Sequence, residues 1–250
     1  MIKVVCSKHV IRFIPRSDEE FSLAFADCTK DFDMDPDAHL HIDERKYFSN
    51  IVGEKRTSEF FVGRIAAREA VNRLTGARPD VISIVPGYLQ HPVVRIQGGS
   101  SQPIGVSVSH TNRVVAALAF PLSAPMGLDL ESFDSLSNVD MADVFTENEK
   151  LVLKSSSANS ELQLKTVLWS AKESLAKAIG TGFTVEVKVL EIESVEVVRP
   201  GILLLKFKNF RKHWAYGFLG FSHVLTVVFL NDGEIDVSGV KSFIDSAGLL

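Results

Sequence analysis

Two carboxylates stand two residues apart in Gly127-Leu128-Asp129-Leu130-Glu131. In an extended strand such residues project to the same side, so Asp129 and Glu131 point together while Leu128 and Leu130 enter a core. Side-by-side carboxylates repel unless protons or a cation lie between them. Mg2+, a hard cation that takes oxygen ligands and keeps several waters, suits such a pair. A bare D-x-E also describes a strand with one solvated polar side, and that reading stays open. Farther along, Glu173 and Lys177 lie four apart in a helical stretch. They read either as a surface pair stabilising by about 0.2–0.5 kcal/mol, or as a third carboxylate and a cation at one centre.

Other groups carry phosphate chemistry in a similar two-sided way. Arg64 and Arg68 share a helix face, as a salt-bridged rim or as bidentate phosphate anchors. His110 closes a strand after Ser107 and Ser109, without zinc-type spacing around it. It reads as a loop or core histidine, or as a phosphate partner. The run Lys206, Lys208, Arg211, Lys212, His213 reads as a solvated face or a docking patch. Asp31-Phe32-Asp33-Met34-Asp35-Pro36-Asp37 predicts a solvated turn, since the glycine and terminal glutamate of a calcium loop are missing.

These side chains need elements to hold them. The pattern predicts a buried helix over Thr57–Leu74, with Ser58 as N-cap and Gly76 beyond its end. Strands are expected at Val81–Val85, Val93–Ile96, Ile104–His110, Val114–Phe120 and Met126–Glu131. After a polar stretch whose most loop-like part is Ser155–Ser160, a second helix runs from Glu161 to Ile179 and stops at Gly180 and Gly182. Leu164, Leu168, Ala171, Leu175 and Ile179 form its core stripe, with Trp169, Glu173 and Lys177 on another face. Val185–Leu230 reads as several strands. Ser109-His110 before one apolar strand echoes Ser222-His223 before another, a modest sign of two related halves.

The net charge of −4 argues against a general nucleic-acid binder. No apolar run approaches the roughly 20 residues that cross a bilayer, and the N-terminus lacks the apolar core of a secretory signal. Cys6 and Cys28 form neither a CxxC pair nor a disulfide framework, which fits a reducing, cytoplasmic setting.

The pieces occur in one order: Gly63-Arg64-x-x-Ala67-Arg68, Ser107-Val108-Ser109-His110-Thr111, Gly127-x-Asp129-x-Glu131, then Trp169-Ser170-x-Lys172-Glu173-Ser174-x-x-Lys177. That order resembles the phosphopantetheinyl transferase superfamily, in its larger single-chain type, over roughly Glu59 to Gly182. The resemblance implies an α+β fold of two similar α/β halves, 1–125 and 126–250, in pseudo-twofold arrangement, with coenzyme A in the cleft between them. It implies transfer of the phosphopantetheine arm of coenzyme A to a serine of an acyl or peptidyl carrier protein, releasing 3′,5′-ADP. Asp129, Glu131 and Glu173 match the family's Mg2+ ligands, and Lys177 its pyrophosphate-binding lysine. His110, flanked by Ser109 and Thr111, matches its phosphate contact, and Arg64 and Arg68 lie in its helix motif near the coenzyme. Glu173, or a water it orients, is the candidate base, with Lys172 weaker because an unperturbed lysine is protonated at neutral pH. Many members carry Gly-Lys or Gly-Arg before the proline where this chain has Gln90-His91-Pro92, and His91 is a weaker phosphate partner than lysine. The segment Ser132–Ser160, with Phe145, is where the carrier is expected to dock, and a chain holding both halves needs no second copy. A Mg-dependent phosphotransferase or pyrophosphatase acting on a nucleotide, and a homologue that only binds, are the rival readings.

Overall fold

The computed structural model describes residues 2–13, 18–28, 34–88, 91–111, 113–136, 143–155 and 161–248. The fold is α+β, with antiparallel sheets, and the chain divides into two compact units, Met1–Pro125 and Met126–Gly248. Among the described residues no helix is long and apolar enough to cross a membrane.

In the first unit, β1 (Val4–Phe13) and β2 (Glu19–Asp27) pair antiparallel. β6 (Val114–Pro121) lies on the other side of β2, and β5 (Ile104–His110) pairs with β6. Two short helices, α1 (Pro36–His39) and α2 (Ile42–Phe48), precede the long α3 (Glu54–Thr75). β3 (Ile82–Pro86) and β4 (Pro92–Ile96) form a two-stranded sheet. Alanines build the seam between α3 and the sheet: Ala66, Ala67 and Ala70 share a core with Ala24, Ala26, Ala117 and Ala119. Such small side chains let helix and strands approach to close packing.

Helix α3 begins three residues before the expected start. Gly53, at φ +99°, is its N-cap and makes no side-chain capping bond. Ser58 therefore sits inside the helix, and Thr57 donates its hydroxyl to the Gly53 carbonyl at 2.9 Å. Glu54, Lys55 and Arg56 are good helix formers, and an acidic residue in the first turn complements the helix dipole. Asp35 caps α1, accepting from the Asp37 amide at 2.9 Å; Asp31 to Asp33 lie outside the described residues.

In the second unit, the sheet runs β7 (Gly127–Ser132), β11 (His223–Leu230), β10 (His213–Leu219), β9 (Ile202–Phe207), β8 (Ile192–Arg199). Helix α5 (Glu161–Ala178) packs on β7, β11 and β10, after a shorter helix, α4 (Glu147–Ser155). The core joins Leu164, Val167, Leu168, Ala171 and Leu175 of α5 to Val224 and Val228 of β11 and to Leu203 and Leu205 of β9. The unit ends with β12 (Gly233–Ile235) and α6 (Val237–Ala247).

The two units run through their elements in parallel. Each passes from a strand (β2, β7) through a short helix (α2, α4), a long helix (α3, α5) and two strands to a hairpin (β5–β6, β10–β11). The second hairpin strand then pairs with the strand that opens the series, β6 with β2 and β11 with β7. Each unit also buries one glutamate in the same way. Glu44 Oε2 accepts from the His41 amide at 3.0 Å and from Arg68 Nη2 at 2.9 Å, while Oε1 accepts from the Ile84 amide at 2.8 Å. Glu149 Oε2 accepts from the Thr146 amide at 2.8 Å and from Lys172 Nζ at 2.9 Å, while Oε1 accepts from the Ile192 amide at 2.9 Å. In both cases a glutamate at the third helical position closes a capping box, and its spare lone pairs bind the long helix and the next strand.

Candidate functional site

Asp129 and Glu131 project from β7 on the face that meets α5, as strand alternation requires. Glu173 and Lys177, one turn apart on α5, face them. One carboxylate oxygen each from Asp129, Glu131 and Glu173 lie within 4.8 Å of one another. Lys177 Nζ donates to Asp129 Oδ1 at 2.8 Å. Asp129 is buried, whereas Glu131 and Glu173 are half-buried.

Helix α5 reaches this distance because Gly127 has no side chain. A Cβ there would collide with the Ser174 carbonyl oxygen and stand 2.7 Å from the Ala178 amide nitrogen. Any larger residue would push the helix, and Glu173 with it, away from β7.

Crowding of negative charge governs the protonation of the centre. Burial, together with the Asp129 and Glu131 charges, pushes Glu173 up to about 8 against the pull of Lys177. Glu173 shares a hydrogen bond with Asp129. Glu131 is also raised, by burial and by Asp129, and is held back by hydrogen bonds from Ser135 and Trp169. The Ser135 hydroxyl donates to Glu131 Oε2 at 2.9 Å. The sequence pattern does not mark Ser135 as a site residue, and it puts Trp169 only on the right face. The signal for both was their i,i+4 spacing, to Glu131 and to Glu173.

Lys172, next to Glu173 in sequence, is not brought to the carboxylates. Its ammonium is fully buried, donating to Glu149 Oε2 and to the Val144 carbonyl at 3.2 Å, and it stands over the Phe145 ring. Successive helical residues diverge by about 100°, so adjacency in sequence separates the two side chains in space. Phe145 likewise is 3% exposed and belongs to the core, so it offers no apolar docking contact. Much of Ser132–Ser160, including Ser156–Ser160, lies outside the described residues. Lys206 pairs with Glu196 and Lys208 with Glu191, as on a solvated face.

The remaining expected residues belong to the first unit. Arg68 is committed: Nη1 donates to the His39 carbonyl at 2.9 Å and Nη2 to Glu44. Arg64 stacks over the Phe60 ring at 4.3 Å, and its Nε has no hydrogen-bond partner among the described residues. His110 is exposed, with Nδ1 3.4 Å from Glu59 Oε1. Ser109 is buried beside it, and the Thr111 hydroxyl accepts from the Val114 amide at 3.2 Å, shaping the turn. His91 is exposed, its carbonyl accepting from the Gly87 amide at 2.7 Å, and Pro92 opens β4 opposite Pro86. Gln90 lies outside the described residues. Burial pushes the Cys6 thiol up to about 12 and the Cys28 thiol to about 11.

Residues 125–228 match the family model described as the 4'-phosphopantetheinyl transferase superfamily. All three carboxylates, Lys172 and Lys177 fall within that stretch. The 4'-phosphopantetheinyl transferase gsp of Aneurinibacillus migulanus is 32% identical over 91 residues, 36% of this chain and 37% of that relative's length. The chain thus matches well under half the length of this curated relative. The similarity to the 4'-phosphopantetheinyl transferase superfamily thus lies in the second unit, where the three carboxylates stand.

Proposed function

We propose that the chain transfers the phosphopantetheine arm of coenzyme A to a serine hydroxyl of an apo acyl or peptidyl carrier protein. The observation that carries this reading is the cluster of Asp129, Glu131 and Glu173 beside Lys177, inside the family match. The donor set fits Mg2+: three hard oxygen ligands, of which only one is neutralised by a lysine, and whose crowding raises Glu173 to about 8. Bound there, Mg2+ would supply neutralisation of the charge that develops on the pyrophosphate.

The chain's own side chains do the rest. Lys177, 29% exposed, presents a cation that is already aligned by Asp129 and suits a pyrophosphate oxygen. Glu173, or a water it orients, takes the proton of the carrier serine. The serine oxygen forms a bond to the phosphorus next to pantetheine, and the bond to 3′,5′-ADP breaks. Lys172 is assigned to structure, because its ammonium is held by Glu149. In the first unit, His110 and Arg64 are assigned as phosphate contacts for coenzyme A, and Ser109, Thr111, His91 and Pro92 as further contacts of the coenzyme. The enzyme is taken to act as a cytoplasmic monomer.

The test is mass spectrometry of an apo carrier protein after incubation with the protein, coenzyme A and Mg2+. A mass gain of one phosphopantetheine, lost with EDTA, is expected. No gain with several carrier types, despite coenzyme A binding, would leave a binding-only protein.

A further inference from the structure

Helix α5 and strand β11 are joined by a set of buried hydroxyls that the proposed chemistry does not use. Thr226 Oγ1 lies 2.8 Å from Ser170 Oγ and 2.6 Å from Ser174 Oγ. Ser174 Oγ also donates to the Thr226 carbonyl at 3.0 Å. All three residues are completely buried. On the strand side, Thr226 stands directly opposite Asp129 in the β7–β11 register. On the helix side, Ser170 and Ser174 bracket Glu173.

The first unit supplies an internal comparison. Aligning the units on Arg68 and Lys172, which bind the matching glutamates, sets Ala66 against Ser170 and Ala70 against Ser174. Aligning the paired strands sets Ala117 against Thr226, Ala24 against Asp129 and Ala26 against Glu131. At these positions the first unit's helix-on-sheet seam carries alanines in place of the three hydroxyls and of the two strand carboxylates. The hydroxyls are not required by the packing. They occur where Glu173 of α5 meets Asp129 and Glu131 of β7.

We infer that Thr226, Ser170 and Ser174 form a hydroxyl clasp that positions Glu173 against Asp129 and Glu131 for cation binding. Apolar contact between alanines has no preferred register along the helix, whereas three hydrogen bonds to one threonine resist sliding and rotation of α5. The clasp bears on the ligand set from behind and touches no substrate, so these are positioning residues. This inference rests on the Mg2+ reading above.

The experiment titrates Mn2+ into the full-length protein without substrate, reading free Mn2+ by electron paramagnetic resonance. Thr226→Val keeps the shape and removes the hydroxyl, and is expected to weaken Mn2+ binding about tenfold, as loss of groups that orient metal ligands does. Thr226→Ser, which keeps the hydroxyl, is expected to stay within about twofold of the unchanged protein. Leu205→Ala, a cavity in the same core that leaves all three hydroxyls in place, controls for lost stability and should leave Mn2+ affinity in place. If Thr226→Val does not fold, Ser170→Ala carries the test, with a weakening of about threefold expected. Unchanged affinity in a folded Thr226→Val or Ser170→Ala protein overturns the clasp while leaving the metal centre standing. Failure of the unchanged protein to bind Mn2+ overturns both.

Discussion

The Lys177 ammonium lies 2.8 Å from Asp129 Oδ1, and Asp129 is 1% exposed while Lys177 is 29% exposed. The lysine thus couples a buried carboxylate to the open side of the centre. Lys177→Met leaves Asp129 facing two further carboxylates with no cation. The metal-free protein should unfold at lower temperature, with Mg2+ restoring part of the loss. Transfer to the carrier should fall by about 100-fold or more, the scale for removing one preorganised charge contact. Calorimetry and initial rates check both, and a rate near the unchanged protein's would remove Lys177 from the site.

Asp129→Ala should abolish Mn2+ binding and carrier modification while circular dichroism stays unchanged. The first unit carries Ala24 at the matching seam position, so the fold tolerates alanine there. Turnover within about tenfold of the unchanged protein would exclude Asp129 as a ligand, since ligand losses cost far more than the 10–100-fold of their supporting groups.

The raised Glu173 makes metal-free stability depend on pH with an unusual sign. Unfolded, its carboxyl ionises near the ordinary value of 4.5; folded, it holds its proton to about 8. Between those values the folded state binds more protons than the unfolded one, so stability falls as pH rises through the window. Glu131, raised as well, acts in the same direction. In EDTA the melting temperature should therefore drop from pH 5 to pH 8 more steeply than in a Glu173→Gln variant. Mg2+ should flatten the slope, because binding requires the deprotonated ligand set and stabilises the fold in proportion to affinity. Equal slopes for the two proteins would contradict the crowding of charge described above.

Lys172 and Glu149 form a fully buried pair. Removing one partner of such a pair typically costs about 3–5 kcal/mol. Lys172→Met should therefore lower the midpoint of urea unfolding strongly, while turnover per folded molecule stays close to the unchanged value. A large loss of turnover at preserved stability would return Lys172 to the chemistry.

Arg64 and Arg68, one turn apart, should separate cleanly. Arg68→Ala breaks the link to Glu44 and the His39 carbonyl and should destabilise the first unit. Arg64→Ala removes a guanidinium that stacks on Phe60, and should weaken coenzyme A binding by about tenfold with little change in stability, as loss of a charge-assisted contact does. Calorimetric titration with coenzyme A measures the difference.

The chemistry was more legible in the sequence than the framework around it. Asp129, Glu131, Glu173 and Lys177 could be placed on shared faces because strand and helix periodicities are strict. What periodicity misses is the partner beyond the element. Nothing local distinguishes Arg68 from Arg64, and only tertiary structure brings Glu44, 24 residues earlier, under the first of them. Lys172 looked catalytic by adjacency alone. The sequence pattern hides β1, because Lys8 and Arg12 interrupt its apolar residues. The Ser-His echo marks two hairpins, but His110 ends β5 exposed whereas His223 begins β11 buried. Equal dipeptides thus serve unequal places. The deeper parallel, a buried glutamate tied to a long helix, carries different cations and leaves little trace in aligned letters.

The two half-buried thiols have a practical consequence. With Cys6 held to about 12 and Cys28 to about 11, almost no thiolate forms at neutral pH, so maleimide chemistry should pass over both. A single cysteine introduced at a surface position such as Leu151 or Phe221, which are 62% and 98% exposed, would then take a fluorophore without a cysteine-free background. Each labelled protein would report optically on the approach of a carrier.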